Sequence, residues 1–204
     1  MTARRCIGAL LAGGAARRFN GAPKGLALVD GVRIADRALA ALANATDEQI
    51  VVANDPRAAS WFPGLRIVAD DVSGLGPLAG LRSALQTAQD ADGVIVVAWD
   101  MPFVTSALLR ALRTIGERGA SAVVSMADAG GPTSPLCAYY GTDALEVCER
   151  LLAQGERRAS ALAESLVGAS TLTGAALAAL GDPARLLRSI DSPEELAALG
   201  GQQP

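Results

Sequence analysis

The residues with the clearest chemical potential lie in one short stretch, residues 11–24, which reads LAGGAARRFNGAPK. An apolar run over residues 6–11 leads into two adjacent glycines, and Arg17, Arg18 and Lys24 follow. Backbone N–H groups at such a strand-to-loop junction, with positive side chains behind them, can hold a polyphosphate. A basic surface loop is the alternative interpretation, because glycine and alanine are common in this chain.

A second candidate is Asp100, which directly follows the apolar run 94–99 and precedes Met101-Pro102. Mg²⁺ in proteins typically takes one or two carboxylates together with substrate phosphate oxygens. Alone, Asp100 would be read as the start of a proline-containing turn. Its place at the end of a strand, opposite a phosphate-binding loop, favours a role as a metal ligand.

The third candidate is the segment Gly76-Pro77-Leu78-Ala79-Gly80. Its glycines allow close backbone approach, Pro77 favours the start of a helix, and a helix N-terminus attracts anions. The spacing of Gly74, Gly76 and Gly80 also suits an NADP-binding loop. That fingerprint should follow the first strand, whereas this one lies in the middle of the chain, so the dinucleotide interpretation is the weaker one.

Composition excludes several classes of protein. The sequence contains no histidine, which excludes Ser-His-Asp triads and the common catalytic zinc sites. A net charge of −3 argues against nucleic acid and anionic membranes as partners. Cys6, Cys137 and Cys148 are odd in number and lack metal-ligand spacing, which favours buried, reduced thiols and a cytoplasmic protein. The short apolar run at the N-terminus is needed as a strand, so we expect neither a targeting peptide nor a membrane span.

Strands and helices alternate along the chain, which predicts an α/β fold with a mainly parallel sheet. Apolar runs predict strands over residues 6–11, 50–53, 65–69, 94–99 and 120–126. Helical spacing predicts helices over residues 34–42, 78–88, 108–115, 143–153, 160–166 and 172–180. We further expect a strand over 134–140, for which an antiparallel pairing is open, a short strand near 186–190 and a frayed end over 200–204.

These motifs carry a family resemblance. The pattern Leu-Ala-Gly-Gly-x₃-Arg-x₅-Lys of residues 11–24 resembles the signature loop of sugar- and cofactor-nucleotidyltransferases, and most of all that of the molybdenum cofactor guanylyltransferases. Residues 100–103, Asp-Met-Pro-Phe, resemble the metal-binding Asp-x-Pro motif of that family, and residues 76–80 resemble its Gly-Pro-Leu-Ala-Gly segment. The resemblance extends from Leu11 to Leu196.

The resemblance implies a Rossmann-like three-layer α/β/α fold, with residues 1–204 as a single nucleotidyltransferase domain. Its part up to about residue 130 would bind nucleotide, and the rest would bind the acceptor. The implied reaction transfers GMP from GTP to Mo-molybdopterin with Mg²⁺ as cofactor, and it yields molybdopterin guanine dinucleotide and pyrophosphate. Implied partners are GTP, the molybdopterin acceptor, and proteins of molybdenum cofactor biosynthesis or molybdoenzyme chaperones.

Site residues follow from the same resemblance. The implied catalytic residues are Lys24 and Arg18, which would neutralise phosphate charge, and Asp100. The implied GTP-binding residues are Leu11, Ala12, Gly13, Gly14, Lys24, Asn54, Asp71, Gly76, Pro77 and Asp100, with Asp71 preferred over Asp70 for guanine. The implied metal ligands are Asp100 and, more weakly, Asp191. The weaker acceptor-binding candidates are Arg157, Arg158 and Thr133.

The sequence also departs from the family pattern. Asn20 stands in place of a glycine, Ser189-x-Asp191 in place of Asn-x-Asn, and Gly131 in place of a basic residue or histidine. Two of these three departures fall on the acceptor side, so the nucleotide half is the better supported. A molybdopterin cytidylyltransferase or another NTP-transferase, an NADP-dependent reductase and a non-catalytic nucleotide-binding protein remain alternatives. The Leu-Ala-Gly-Gly sequence favours guanine, since cytidylyltransferases usually carry Leu-Ala-Ala-Gly.

Overall fold

The structure is a computed structural model that describes residues 4–13, 19, 22–70, 76–128 and 130–204. The strands in this part of the chain are β1 (Cys6–Leu11), β2 (Leu28–Val29), β3 (Val32–Arg33), β4 (Glu48–Val52), β5 (Arg66–Val68), β6 (Gly93–Ala98), β7 (Ala122–Met126), β8 (Thr133–Gly141) and β9 (Ala169–Leu172).

The helices are α1 (Ile34–Ala43), α2 (Ala58–Trp61), α3 (Pro77–Thr87), α4 (Ser106–Gly116), α5 (Ala144–Ala153), α6 (Ser160–Ser165), α7 (Gly174–Ala178), α8 (Pro183–Leu186) and α9 (Pro193–Ala198), and a 3₁₀ turn spans Lys24–Leu26. Thr105 caps α4 by accepting a hydrogen bond from the Leu108 N–H. No helix in these described ranges is both long and apolar enough to cross a membrane.

Seven strands form one sheet in the order β5-β4-β1-β6-β8-β7-β9. Strands β5, β4, β1 and β6 are parallel neighbours, while β8 runs antiparallel to both β6 and β7. The predicted mainly parallel α/β sheet is confirmed, and so is the antiparallel option for the strand after Pro132. In the register of the sheet, Leu11 pairs with both Val52 and Ala98, so these three strands end at one edge.

Helices pack on both faces of the sheet, and the apolar side chains that alternate along the strands form the contacts. In β1, Cys6 and Leu10 join one core cluster, whereas Ile7, Ala9 and Leu11 join the other. This period of two is what a strand between two helix layers requires. One layer includes α1 and α4, and the other includes α3, α5 and α6.

A third, smaller cluster fixes the segments that carry the candidate site. Its members are all buried and come from distant parts of the sequence: Phe19, Ala27, Val29, Ile34, Ile190 and Leu196. It thereby joins the 3₁₀ turn, the β2–β3 hairpin and helix α9. Burial of these side chains holds residues near 24 and near 191 against the same part of the fold.

Two predictions near the C-terminus are wrong. The expected strand near 186–190 is absent from the described chain, because Asp182 caps a helix that begins with Pro183. The last strand is instead β9, beside β7. The expected frayed end is ordered, since the backbone groups of Gln202 and Leu28 exchange hydrogen bonds of 2.8 and 2.9 Å.

The β2–β3 hairpin was not predicted, although the sequence carries its signal. Asp30 and Gly31 form the turn with positive φ angles of 50° and 75°. Asp-Gly flanked by strand-forming residues such as Val29 and Val32 is a strong signal for this type of tight hairpin. The strands it joins are only two residues long, which is too short for hydrophobic alternation to reveal them.

Candidate functional site

The candidate site lies at the edge where β1, β4, β5 and β6 end. Gly13, Asn54, Asp70 and Asp100 follow the ends of these four strands. In open parallel sheets, ligands bind beyond the carboxyl ends of the strands. The sheet therefore brings together polar residues that are far apart in the sequence.

Asp100 is the most deeply buried carboxylate at this edge, with 8% of the residue exposed. Burial raises the pKa of its carboxyl group, and the nearby Lys24 ammonium opposes that rise. Among the described residues, the buried Oδ1 atom has no hydrogen-bond partner. A buried carboxylate with an unsatisfied oxygen is costly unless a cation or donor reaches it, which marks Asp100 as a cation-binding group.

Lys24 supplies a cation to this carboxylate. Its Nζ forms a close ion pair with Asp100 Oδ2 and a second one, at 3.0 Å, with Asp191 Oδ1. Burial by itself would lower the pKa of Lys24, but the contacts with Asp100 and Asp191 outweigh this effect and raise the pKa above its ordinary value. The side chain is therefore a protonated ammonium held between two carboxylates.

Gly25 explains how Lys24 comes so close to the end of β6. A methyl group on Gly25 would lie 2.8 Å from Cγ of Trp99 and closer still to two other atoms of the indole ring. Only glycine allows the 3₁₀ turn to pack against Trp99, the residue before Asp100. The sequence analysis missed both residues, although each stands directly beside a predicted site residue.

Asp191 is positioned by the segment before α9. Its backbone N–H donates to Glu195 Oε2 at 2.6 Å, and its Oδ2 accepts from Ser189 Oγ at 2.9 Å. Ser192 and Glu195 form a capping box at the start of α9, since they exchange their capping hydrogen bonds. The structure thus brings the weakly predicted Asp191 to the same ammonium as Asp100.

The pair of carboxylates fits a divalent cation of the kind that prefers oxygen ligands. Asp100 and Asp191 share one ammonium at the carboxyl edge of the sheet. No group of three or more His, Cys, Asp or Glu side chains with metal-site geometry occurs within the described ranges. Two carboxylates with phosphates and water as the remaining ligands suit Mg²⁺, which usually binds in that way.

Asn54 and Asp70 form a rigid pair at the ends of β4 and β5. The Asn54 amide donates to Asp70 Oδ2 at 2.9 Å, and the Asp70 N–H donates to Asn54 Oδ1 at 2.7 Å. The other Asp70 oxygen accepts from Ser83 Oγ on α3 at 2.9 Å. Sequence reasoning missed Ser83. Both carboxylate oxygens of Asp70 are therefore engaged by these partners. Asp71, the residue predicted to bind guanine, lies outside the described residues.

Gly76 is packed against the backbone of the C-terminal third. Its φ of 77° favours glycine, and a Cβ there would lie 3.0 Å from the carbonyl oxygen of Arg157. That same oxygen accepts from the Leu78 N–H at 3.2 Å, in the first turn of α3. Pro77 is the first residue of this helix, as predicted. The Arg157 backbone therefore fixes the start of α3.

A cavity of about 440 Å³ opens beside Asp100. Two predicted acceptor residues, Thr133 and Arg158, line it together with Pro77 and Ser189. Arg158 pairs with Glu156 through a contact of 2.7 Å, and hydrogen bonds from this arginine lower the pKa of Glu156 to about 2. The Arg157 side chain instead donates to backbone oxygens of its own loop, including that of Glu156 at 2.8 Å. Of the two predicted arginines, only Arg158 lines the cavity.

The first residues of the glycine loop are only partly described. Leu11 and Ala12 are buried, and their backbones bond to neighbouring strands, with Ala12 N–H donating to Val52 at 2.9 Å. Gly13 is exposed, and a Cβ there would have open space around it. Gly14 and Arg18 lie outside the described residues, so their predicted roles remain predictions.

Comparisons with known proteins agree with the motifs. A family model described as MobA-like NTP transferase domain matches residues 8–170. A Chloroflexus aggregans protein named probable molybdenum cofactor guanylyltransferase is 35% identical over 192 residues, covering 93% of this chain and 90% of that protein. A protein of the same name from Deinococcus radiodurans is 37% identical over 197 residues, covering 95% and 93%. The crystal structure of molybdopterin-guanine dinucleotide biosynthesis protein A from Archaeoglobus fulgidus is 26% identical with a TM-score of 0.78, covering 95% and 96%. The predicted family resemblance is confirmed.

Proposed function

Since the chain belongs to the MobA-like NTP transferase family, we propose that it transfers GMP from GTP to the terminal phosphate of Mo-molybdopterin and releases pyrophosphate. The observation that carries this proposal is the buried Asp100 carboxylate, paired with Lys24 at the carboxyl edge of the sheet. Relatives named for this activity match more than nine-tenths of the chain.

The proposed mechanism needs no protein nucleophile. The acceptor phosphate attacks the α-phosphorus of GTP in line, and the bond from that phosphorus to the pyrophosphate oxygen breaks. Lys24 would stabilise the negative charge that develops on the α-phosphate and the leaving group, with Arg18 as a second proposed cation. The backbone amides around Gly13 and Gly14 would orient the triphosphate, so that most of the catalysis comes from positioning.

Asp100 and Asp191 would hold Mg²⁺, which would act as a Lewis acid and neutralise phosphate charge. Asp100 is well suited to this role because its buried oxygen lacks a partner within the described chain. Asp191 is the more accessible of the two, with 49% of its side chain exposed. It would complete the metal site from the C-terminal side.

The acceptor would occupy the cavity lined by Thr133 and Arg158. This cavity reaches Asp100, so an acceptor phosphate placed there could approach the α-phosphate of a nucleotide held by the glycine loop. Residues up to about 130 would then serve the nucleotide and later residues the acceptor. We also propose that GTP, molybdopterin and the proteins that deliver or receive molybdopterin are partners of this protein. We further propose that it is cytoplasmic, because that reducing compartment keeps cysteines as the free thiols seen here.

The experiment that tests this function compares nucleotides with one acceptor. The protein is incubated with Mg²⁺, molybdopterin on its carrier, and either GTP or CTP, and the dinucleotide product and pyrophosphate are quantified. We expect guanylated product from GTP and at least tenfold less product from CTP. A clear preference for CTP would assign the chain to cytidylyl transfer. Binding of NADP without any release of pyrophosphate would instead support a reductase.

A further inference from the structure

The ammonium group of Lys24 lies between the two carboxylates that are proposed to hold the metal ion. It contacts Asp100 Oδ2 and lies 3.0 Å from Asp191 Oδ1, so one positive charge bridges the two proposed metal ligands. The Lys24 side chain is largely buried there, with 16% exposed. An ion that binds both of these oxygens has to displace the ammonium first.

The charges at the site favour this competition. Among the described residues, the two carboxylates and the ammonium together leave one negative charge, which attracts a strongly hydrated divalent ion only weakly. Removing Lys24 from the pair restores both negative charges. The displaced ammonium then lacks a negatively charged partner, and the phosphates of a bound nucleotide supply one.

The small number of metal ligands that the protein offers also weakens metal binding without a nucleotide. Within the described ranges, no third acidic or thiol side chain completes a metal cluster with Asp100 and Asp191. Mg²⁺ demands about six oxygen ligands in an octahedral arrangement. The protein can therefore offer few of them, and the nucleotide must bring several of the rest.

We propose that Lys24 takes the place of the metal in the nucleotide-free protein, so that a divalent ion enters together with a nucleoside triphosphate and not before it. On binding, the ion takes over Asp100 and Asp191, and the Lys24 ammonium moves to the phosphate oxygens. This inference rests on the proposed function only in that the ligand is a metal–triphosphate. It is independent of the acceptor and of the base.

Mn²⁺ binding without nucleotide gives a direct test. The free Mn²⁺ signal in electron paramagnetic resonance is titrated with the wild-type protein, Lys24→Gln and Lys24→Arg. We expect Lys24→Gln to bind Mn²⁺ at least about tenfold more tightly than wild type, because it removes the competing charge. Lys24→Arg keeps the charge and is expected to bind weakly. Equal Mn²⁺ affinity in the wild type and Lys24→Gln would overturn the proposal.

A matched control separates the local exchange from a general change of charge. Arg66 is exposed at the start of β5, an outer strand that lies three strands away from β6 and Asp100 in the sheet. Arg66→Gln removes one positive charge, as Lys24→Gln does, and is expected to leave Mn²⁺ affinity unchanged. A tenfold gain in both variants would contradict a specific role for Lys24.

A second measurement uses the unmodified sequence and so does not depend on the folding of a variant. Lys24 is the only lysine among the 204 residues, so isotope-labelled lysine gives one side-chain NMR signal. We expect Mg²⁺ alone to leave this signal in place and Mg²⁺ with a non-hydrolysable GTP analogue to move it. A signal that moves fully with Mg²⁺ alone would refute the exchange, even if guanylyl transfer were established. Failure of guanylyl transfer with the expected Mn²⁺ and NMR results would instead refute only the proposed function.

Discussion

The backbone N–H of Ile190 donates to the carbonyl oxygen of Asp100 at 2.9 Å. This one bond joins the C-terminal segment to the end of β6, and it brings Asp191 to the ammonium that Asp100 also contacts. The side chain of Ile190 is fully buried in the small cluster that also holds the β2–β3 hairpin. The proposed metal-binding half of the site is therefore assembled by tertiary packing.

Asp100→Asn tests the role of the buried carboxylate with little change of shape. We expect kcat to fall by about 10²–10³, the scale for loss of a preorganised electrostatic contact. Asp92 provides the matched control, because it precedes the same strand at the opposite edge and accepts from the Arg5 N–H at 2.7 Å. Steady-state kinetics of Asp92→Asn should stay close to wild type. Equal losses in both variants would show that Asp100 acts only through stability.

Gly25→Ala tests the packing of the 3₁₀ turn on Trp99. The added methyl would overlap the indole ring, so we expect a loss of about 1–3 kcal/mol in stability and a fall in Tm on the order of 5 °C. Turnover should fall as well, since the turn carries Lys24. Gly13→Ala is the control for stability, because a Cβ there meets open space. Calorimetry that finds the same Tm for Gly25→Ala and wild type would contradict this account.

Arg158→Ala tests the assignment of the acceptor cavity. We expect KM for the molybdopterin acceptor to rise by on the order of tenfold, with KM for GTP unchanged, because Arg158 lines the proposed acceptor cavity. Arg157→Ala is the comparison variant, since its side chain bonds to its own loop. If Arg157→Ala alone changed KM for the acceptor, the assignment of the two arginines would be reversed.

The three cysteines predict a pH effect on stability. Burial raises the pKa of the Cys6, Cys137 and Cys148 thiols to about 12. A cysteine thiol in the unfolded chain has a pKa of about 8.5. Above that pH the native state binds more protons than the unfolded state, so the free energy of unfolding falls as the pH rises. Denaturant titrations at pH 7, 8.5 and 10 measure this loss. Increasing stability over the same range would have the wrong sign.

The same burial predicts slow thiol chemistry. With a thiol reagent at pH 8, we expect well below one equivalent to react in the native protein and three in denaturant, because the reactive thiolate is both rare and shielded. Rapid reaction of one cysteine in the native state would contradict its buried position.

The parts of the fold that follow from local patterns were predictable. The apolar runs and helical spacing predicted β1, β6 and α3 to within one residue, because these elements are long and packed on periodic faces. The short β9 and the two-residue strands of the hairpin were not predicted, because strands this short show no hydrophobic periodicity. The prediction of a strand near 186–190 was wrong, because Asp182 and Pro183 start a helix in this segment.

The candidate site was predictable in its residues and not in its contacts. Lys24 was identified from the glycine-loop motif, and Asp100 from its own motif and its place at the end of a strand. Their ion pair, and its extension to Asp191, depend on Gly25 packing against Trp99 and on the Ile190 hydrogen bond. Those are tertiary relationships between segments far apart in the sequence, which no local pattern encodes.

The most direct test of the central claim follows the fate of the GTP phosphates. The protein is supplied with Mg²⁺, the molybdopterin acceptor and GTP labelled at either the α- or the γ-phosphorus, and products are separated by chromatography. The account predicts that the α-label appears in the acceptor and the γ-label in pyrophosphate, with both lost in Asp100→Asn and retained in Asp92→Asn. Transfer of the γ-label to the acceptor, or its release as orthophosphate, would contradict attack at the α-phosphorus.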